Sequence, residues 1–200
     1  MQMRYNQKRT PLESGKLWGV YRHRVIERTH PLVRNMNTVF DVPHSRHNAI
    51  TPDQFAQAGM KTLVAGKNVG AHIAVSPDGF RLICMQGHPE YDTVSLLKEY
   101  QREVGRFLAG DRIDMPPHPA HYFKNDSLYL LDLYNPQTMS DDELCAFNKD
   151  LFETLENTWR DSASSILASW IGLVYQITNM DRQKQFMDGI DPNNPLGDVI

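Results

Sequence analysis

The chain reads as a mixed α/β domain on three observations. Short apolar runs bounded by Gly, Pro and Asp fill much of the first half. Apolar residues recur at helical spacing through the second half, and no repeat or low-complexity tract interrupts either pattern. In order along the chain, Leu17-Trp18-Gly19-Val20-Tyr21 suits a strand and residues 31–43 read as irregular. Residues 61–65 form a strand stopped by Gly66. Residues 71–76 and 80–85 are the arms of a hairpin around Pro77-Asp78-Gly79, where Pro fixes φ and Gly accepts a positive one. Residues 93–108 are an amphipathic helix, because Leu96, Leu97, Tyr100, Val104 and Leu108 share a face and Gly110 lies past its end. The Pro-rich stretch 115–119 breaks the chain. Further helices are predicted at 141–155, opened by a Ser140-x-x-Glu143 capping box, and at 159–177. The segment around Asp191-Pro192-Asn193-Asn194-Pro195 reads as a loose C-terminal tail.

Composition excludes several classes. A chain of 200 residues suits one domain with its own core, and 40% hydrophobic with 22% charged residues is ordinary for a soluble protein. The net charge of −3 gives no electrostatic reason to expect nucleic acid or an anionic membrane as partner. No apolar stretch approaches the roughly 20 residues that span a bilayer, and no apolar segment follows the basic residues near Met1 as a signal peptide requires. Two cysteines, Cys84 and Cys145, make no disulfide framework, so free thiols in a cytoplasmic protein are expected.

The chemistry concentrates in Gly87-His88-Pro89-Glu90-Tyr91-Asp92. Gly87 lets the backbone turn without a Cβ clash, and Pro89 lacks the N–H that would continue a ladder. His88 therefore stands at the end of a strand, where α/β folds gather their sites. Glu90 is close enough to accept from one ring nitrogen, fixing the tautomer and stabilising an imidazolium. That is the base-and-acid half of a nucleophile–His–acid triad; a surface histidine beside a turn carries the same letters. The nucleophile is the missing part. Cys84, on the same strand as His88, reads as buried and inert, and Cys145 falls on a predicted helix. The His44/His47 and His118/His121 pairs have i, i+3 spacing but no Cys or acidic companions at ligand spacing, so no metal site is expected. Trp159, Trp170 and Tyr175 fall at near-helical intervals and read as core.

Lys16-Leu17-Trp18-Gly19-Val20, Pro43-His44-Ser45-Arg46, the 87–92 segment, Glu99-Tyr100-x-Arg102 and Trp170-x4-Tyr175-Gln176-Ile177-Thr178 occur in this order. Together they resemble the homoserine O-succinyltransferase family, the homoserine O-acyltransferases of methionine synthesis, over residues 16–181. The resemblance implies a class I glutamine amidotransferase-like, flavodoxin-like three-layer sandwich over residues 1–181, incomplete at its N-terminus, followed by a tail at 182–200. It implies transfer of a succinyl or acetyl group from acyl-CoA, a co-substrate rather than a bound cofactor, to the hydroxyl of L-homoserine through an acyl-cysteine. By position, His88 matches the family's proton acceptor and Glu90 its acidic partner, while Lys16, Ser45 and Arg102 match substrate-holding residues. A planar guanidinium at Arg102 suits a carboxylate, and His88 would serve both thiol and hydroxyl. Each also has a structural role open to it: Lys16 at a strand end, Ser45 in a turn, Arg102 as one solvated charge beside Lys98 and Glu99.

The departures from the family are equally definite. Its nucleophilic cysteine falls before the segment that here begins at Met1, so the 200 residues alone are expected to show little transferase activity. His121-Tyr122-Phe123-Lys124 stands where the family tends to have Asn-Tyr-Phe-Pro, and residues 128–157 look like an atypical insertion. Uncovered apolar faces would call for a second copy in a homodimer or a missing N-terminal segment. Other functions stay open at this point: a serine O-acyltransferase, a glutamine amidotransferase sharing the His-Pro-Glu run, or a non-catalytic subunit or remnant.

Overall fold

The computed structural model describes residues 1–197. In chain order the elements are α1 (Gln2–Tyr5), β1 (Thr10–Pro11), β2 (Leu17–Val25), β3 (Val39–Arg46), β4 (Asn48–Ala49), α2 (Pro52–Gln57), β5 (Lys61–Gly66), β6 (Gly70–Val75), β7 (Ile83–Met85), α3 (Ser95–Leu108), α4 (Leu128–Asp132), α5 (Asp141–Thr154) and α6 (Arg160–Ile177). The main sheet has the order β3-β2-β5-β6-β7, and β1 pairs separately with β4.

Alternation along β2 sends its side chains to opposite faces, and each face meets its own helices. Val25 joins Phe40 and Val42 of β3, Ile73 and Val75 of β6, and Ile166, Leu173 and Ile177 of α6. Trp18 and Val20 join Leu96, Leu97, Tyr100 and Val104 of α3, with Leu131, Phe147 and Leu151 of α4 and α5 behind them. Burying Leu96, Leu97 and Val104 stabilises this second layer by roughly 1.5–3 kcal/mol each. Helices on both sheet faces make the α/β class and its three layers visible in the molecule itself.

Every ladder of the main sheet is antiparallel; short links join β5 to β6 and β6 to β7, whereas residues 26–38 connect β2 to β3 and the β2–β5 pair is not consecutive in the chain. The sheet also curls. The Gln86 amide donates to the His72 carbonyl at 2.9 Å, and the His88 amide donates to the Pro43 carbonyl at 2.8 Å. The chain leaving one edge strand, β7, thus returns to the other, β3.

Several elements differ from the sequence expectation. The stretch taken as irregular contains β3, which runs straight through Pro43. Pro43 faces Val20, whose own N–H turns away to the Ala120 carbonyl, so the proline falls at a position without a ladder bond on an edge strand. The short α2 was not anticipated, although Thr51 and Gln54 form a reciprocal capping box with Pro52 in the first turn. The second arm of the 71–85 hairpin shrinks to β7, because Asp78 Oδ1 gathers the Phe80 and Arg81 amides and the Ser76 hydroxyl into a wider loop. Residues 182–197 are not a loose tail: Phe186 and Leu196 are buried in the main cluster, while residues 198–200 of that tail lie outside the described residues.

Gly19 carries the closest approach in the fold. It has φ +142°, and an added Cβ would overlap the backbone of Ala120, which hydrogen-bonds to Trp18 and Val20 on either side. Gly19→Ala is expected to destabilise the domain by roughly 2–4 kcal/mol, combining backbone strain with a main-chain clash, and urea unfolding checks this.

Candidate active site

The segment after β7 is clamped before it reaches His88. The Gln86 side chain accepts from the Ile50 amide at 2.7 Å and donates to the carbonyls of Ile50 and Ala71 at 2.9 and 2.7 Å. The Gly87 amide donates to Nδ1 of buried His72 at 3.1 Å. A Cβ on Gly87 would stand 2.9 Å from the His44 ring, so only glycine fits. His88 Nδ1 then lies 2.8 Å from Glu90 Oε1. A carboxylate only accepts, so Nδ1 carries the proton and Nε2 keeps its lone pair for an incoming acid. The His88 ring stacks on Tyr91 at 4.4 Å between centroids, and a third of its side chain remains in contact with solvent (34%).

Tyr91 links this pair to the rest of the site. Its hydroxyl donates to Glu99 Oε1 at 2.7 Å, while Ser45 Oγ donates to Glu99 Oε2 at 2.6 Å and Lys16 Nζ at 3.4 Å. The Lys16 ammonium also lies 3.8 Å from the Trp18 ring centroid, a cation–π contact that holds it over β2. Of the residues singled out from sequence, His88, Glu90, Lys16 and Ser45 are therefore brought together. Arg102 is not: it is 63% exposed, and its nearest carboxylate is Glu103 at 3.6 Å. Ser45 is no turn residue; it stands in β3 opposite Trp18.

Glu99 is the group the sequence reading passed over, as one charge on a solvated helix face. The available signal was its place between Leu96 and Tyr100 on the buried stripe of α3, where a carboxylate is costly unless it is paired. Burial pushes the Glu99 carboxyl up, but Ser45, Tyr91 and Lys16 outweigh it, and the group sits below the usual carboxylate range. Burial and the Glu99 hydrogen bond push the Tyr91 phenol well up, so it stays a donor. Lys16 is lowered by burial, which Glu99 partly offsets.

Beneath Gly87 lies a cluster of buried imidazoles. His23 Nδ1 donates to the Tyr21 carbonyl at 2.8 Å, leaving its Nε2 to accept from His44 Nε2 at 3.3 Å. His44 Nδ1 in turn accepts from Arg46 Nε at 3.2 Å. Burial, reinforced by the other imidazoles, lowers His44 to about 2 and His72 to about 3. His47, the i+3 companion of His44, instead contacts the Gly15 carbonyl at 2.9 Å. Among the described residues no group of three or more His, Cys, Asp or Glu is placed to hold a metal ion. Cys84 lies on β7 with its thiol 3.9 Å from Met1 Sδ, and burial pushes it up; Cys145 is exposed on α5. Clefts of about 690 Å³, bordered by Lys16, Trp18 and Arg112, and about 490 Å³, bordered by Glu90, Tyr91 and Trp170, flank the site. No helix among the described residues is long and apolar enough to cross a membrane.

A histidine–carboxylate pair beside a half-buried, charge-paired polar cluster gives this α/β protein a candidate acid–base site. The family model for homoserine O-succinyltransferase matches residues 1–180, and the chain belongs to that family. A homoserine O-succinyltransferase of Allochromatium vinosum is 51% identical across 98% of this chain and 56% of its own length. One from Nitrosococcus oceani is 49% identical, with the same coverage of each. The chain thus spans a little over half the length of these curated relatives. Among solved structures, a glutamine amidotransferase from Thermotoga maritima aligns over 84% of this chain and 54% of its own, at 10% identity and a TM-score of 0.43.

The imidazole cluster has a measurable consequence. His44 and His72 titrate lower in the folded state than the ordinary 6.5, so below that pH the unfolded chain binds more protons and stability is lost as pH falls. The unfolding free energy is expected to drop between pH 6.5 and 5, before carboxylates titrate, by up to about 1.4 kcal/mol per pH unit for each imidazole. Urea titrations at stepped pH check this; a flat profile across that window would contradict it.

Proposed function

We propose that these residues supply the base, its acidic partner and the substrate-holding groups for O-succinylation of L-homoserine in methionine synthesis, with succinyl-CoA as donor. The observation that carries this is the Glu99 cluster, which places one half-buried carboxylate, one ammonium and two hydroxyls next to the His88 ring. Homoserine is a zwitterion with a hydroxyl. Its ammonium has an acceptor in Glu99, and its carboxylate has cationic partners in Lys16 and, after a change of rotamer, Arg102. Its hydroxyl needs a base, and His88 offers Nε2 with Nδ1–H held by Glu90.

In this proposal a thiol carries the succinyl group between donor and acceptor. His88 takes the thiol proton as the sulfur attacks the thioester and returns it to the departing coenzyme A thiolate, which leaves the ring neutral. It then takes the homoserine hydroxyl proton as the oxygen attacks the acyl-cysteine and returns it to the released cysteine thiolate. Neither Cys84 nor Cys145 suits the role: one thiol is raised by burial against Met1, and the other is on α5 in the outer layer. The proposal therefore places the nucleophile in sequence other than these 200 residues, as the greater length of the relatives allows.

Calorimetry of the 200-residue chain with L-homoserine tests the binding half. Millimolar or tighter binding is expected, weakened about 10- to 100-fold by Glu99→Gln, the equivalent of about 1.4–2.8 kcal/mol. Binding indifferent to that change would overturn the assignment. Incubation with succinyl-CoA and homoserine should give no O-succinylhomoserine; turnover abolished by Cys84→Ala or Cys145→Ala would refute an external thiol.

A further inference from the structure

We propose that His72, a residue buried beneath the site and out of reach of substrate, is the positioning residue that holds His88 in its working orientation through the Gly87 amide. The inference rests on reading His88 as the base, and it assigns His72 a task that the acyl-transfer chemistry alone does not require.

The geometry makes this specific. His72 is 1% exposed, and its Nδ1 is the acceptor for the Gly87 N–H at 3.1 Å. That fixes its tautomer, because an Nδ1 that accepts leaves the ring proton on Nε2. The same residue holds the preceding peptide through its backbone, where its carbonyl accepts the Gln86 amide at 2.9 Å. Two consecutive amides before His88 therefore end on His72, one on its main chain and one on its ring.

The His44 ring, together with Val42, fills the space a Cβ on Gly87 would need. Its own orientation is set by donation to His23 and acceptance from Arg46, so it cannot yield by simple rotation without breaking both bonds. The next amide, that of His88, is taken by Pro43 in β3. Gly87 is thus held by imidazoles from two different strands, bonded to His72 and packed against His44. With its Cα placed in this way, the His88 side chain can meet Glu90 and Tyr91 together. An apolar side chain at position 72 would leave the Gly87 N–H buried without an acceptor, and the loop would have to move to find water.

Nuclear magnetic resonance on the ¹⁵N-labelled 200-residue chain tests this without any assay of transfer. In the wild-type protein, a through-hydrogen-bond coupling between the Gly87 amide nitrogen and His72 Nδ1 is expected, together with an Nδ1–H tautomer for neutral His88. Absence of the coupling would overturn the proposal even if no variant folds. His72→Leu should speed exchange of the Gly87 amide at least 10-fold and mix the His88 tautomers. His72→Asn, whose Oδ1 can occupy the place of Nδ1, should restore both signals toward wild type. If His72→Leu leaves exchange and tautomer unchanged, or if folded His72→Asn behaves like His72→Leu, His72 does not position the base. Should these signals hold while homoserine fails to bind, the functional proposal falls and the positioning stands.

Discussion

The site is organised by one half-buried carboxylate. Glu99 accepts from Ser45 on β3, from Tyr91 in the loop after β7 and from Lys16 at the start of β2, while α3 supplies its backbone. Lys16 and Ser45 come from the paired ends of β2 and β3, while Tyr91 and Glu99 come from the loop and helix that follow β7. Removing the charge would leave three donors in a half-buried space with nothing to receive them, which costs more than any one of the hydrogen bonds contributes. The stacking of His88 on Tyr91 extends the constraint to the His88–Glu90 pair, so Lys16, Ser45 and that pair are parts of one network.

A second constraint lies under the first. The curl of the sheet brings the residues after β7 against β3, and the buried imidazoles of His23, His44 and His72 pack together beneath them. Each ring has both a shape to fill and a hydrogen-bond role to play, so neighbouring backbone is held in direction as well as in position. The arrangement depends on neutrality, which burial and mutual repulsion among the rings maintain. A stiff polar floor beneath half-buried His88 holds the backbone that carries its ring.

Much of this was legible in the residues. The helical stripe at 96, 97, 100 and 104, the capping box at Ser140 and the His88–Glu90 pair all appear where their spacing places them. The strand through Pro43 was hidden because proline's exclusion from ladders holds only where an N–H is needed, and on an edge strand half the positions need none. The role of Glu99 was hidden for a different reason. A charge at a helical position reads as solvent-facing unless the partners that neutralise it are known, and those of Glu99 lie 54 and 83 positions away. Arg102 shows the converse: family resemblance marks it, while the fold leaves it mostly in water. The buried imidazoles could not have been grouped from sequence at all, since their proximity is a product of the curl.

The central claim is that Glu99 stays ionised inside the network and so orders it. The most direct measurement follows the Glu99 side-chain carboxyl by ¹³C resonance as pH is lowered. The account predicts a titration midpoint below the ordinary 4.5, with the Ser45 and Tyr91 hydroxyl signals changing in the same step. A midpoint at or above 4.5, or a titration that leaves those hydroxyls undisturbed, would contradict it.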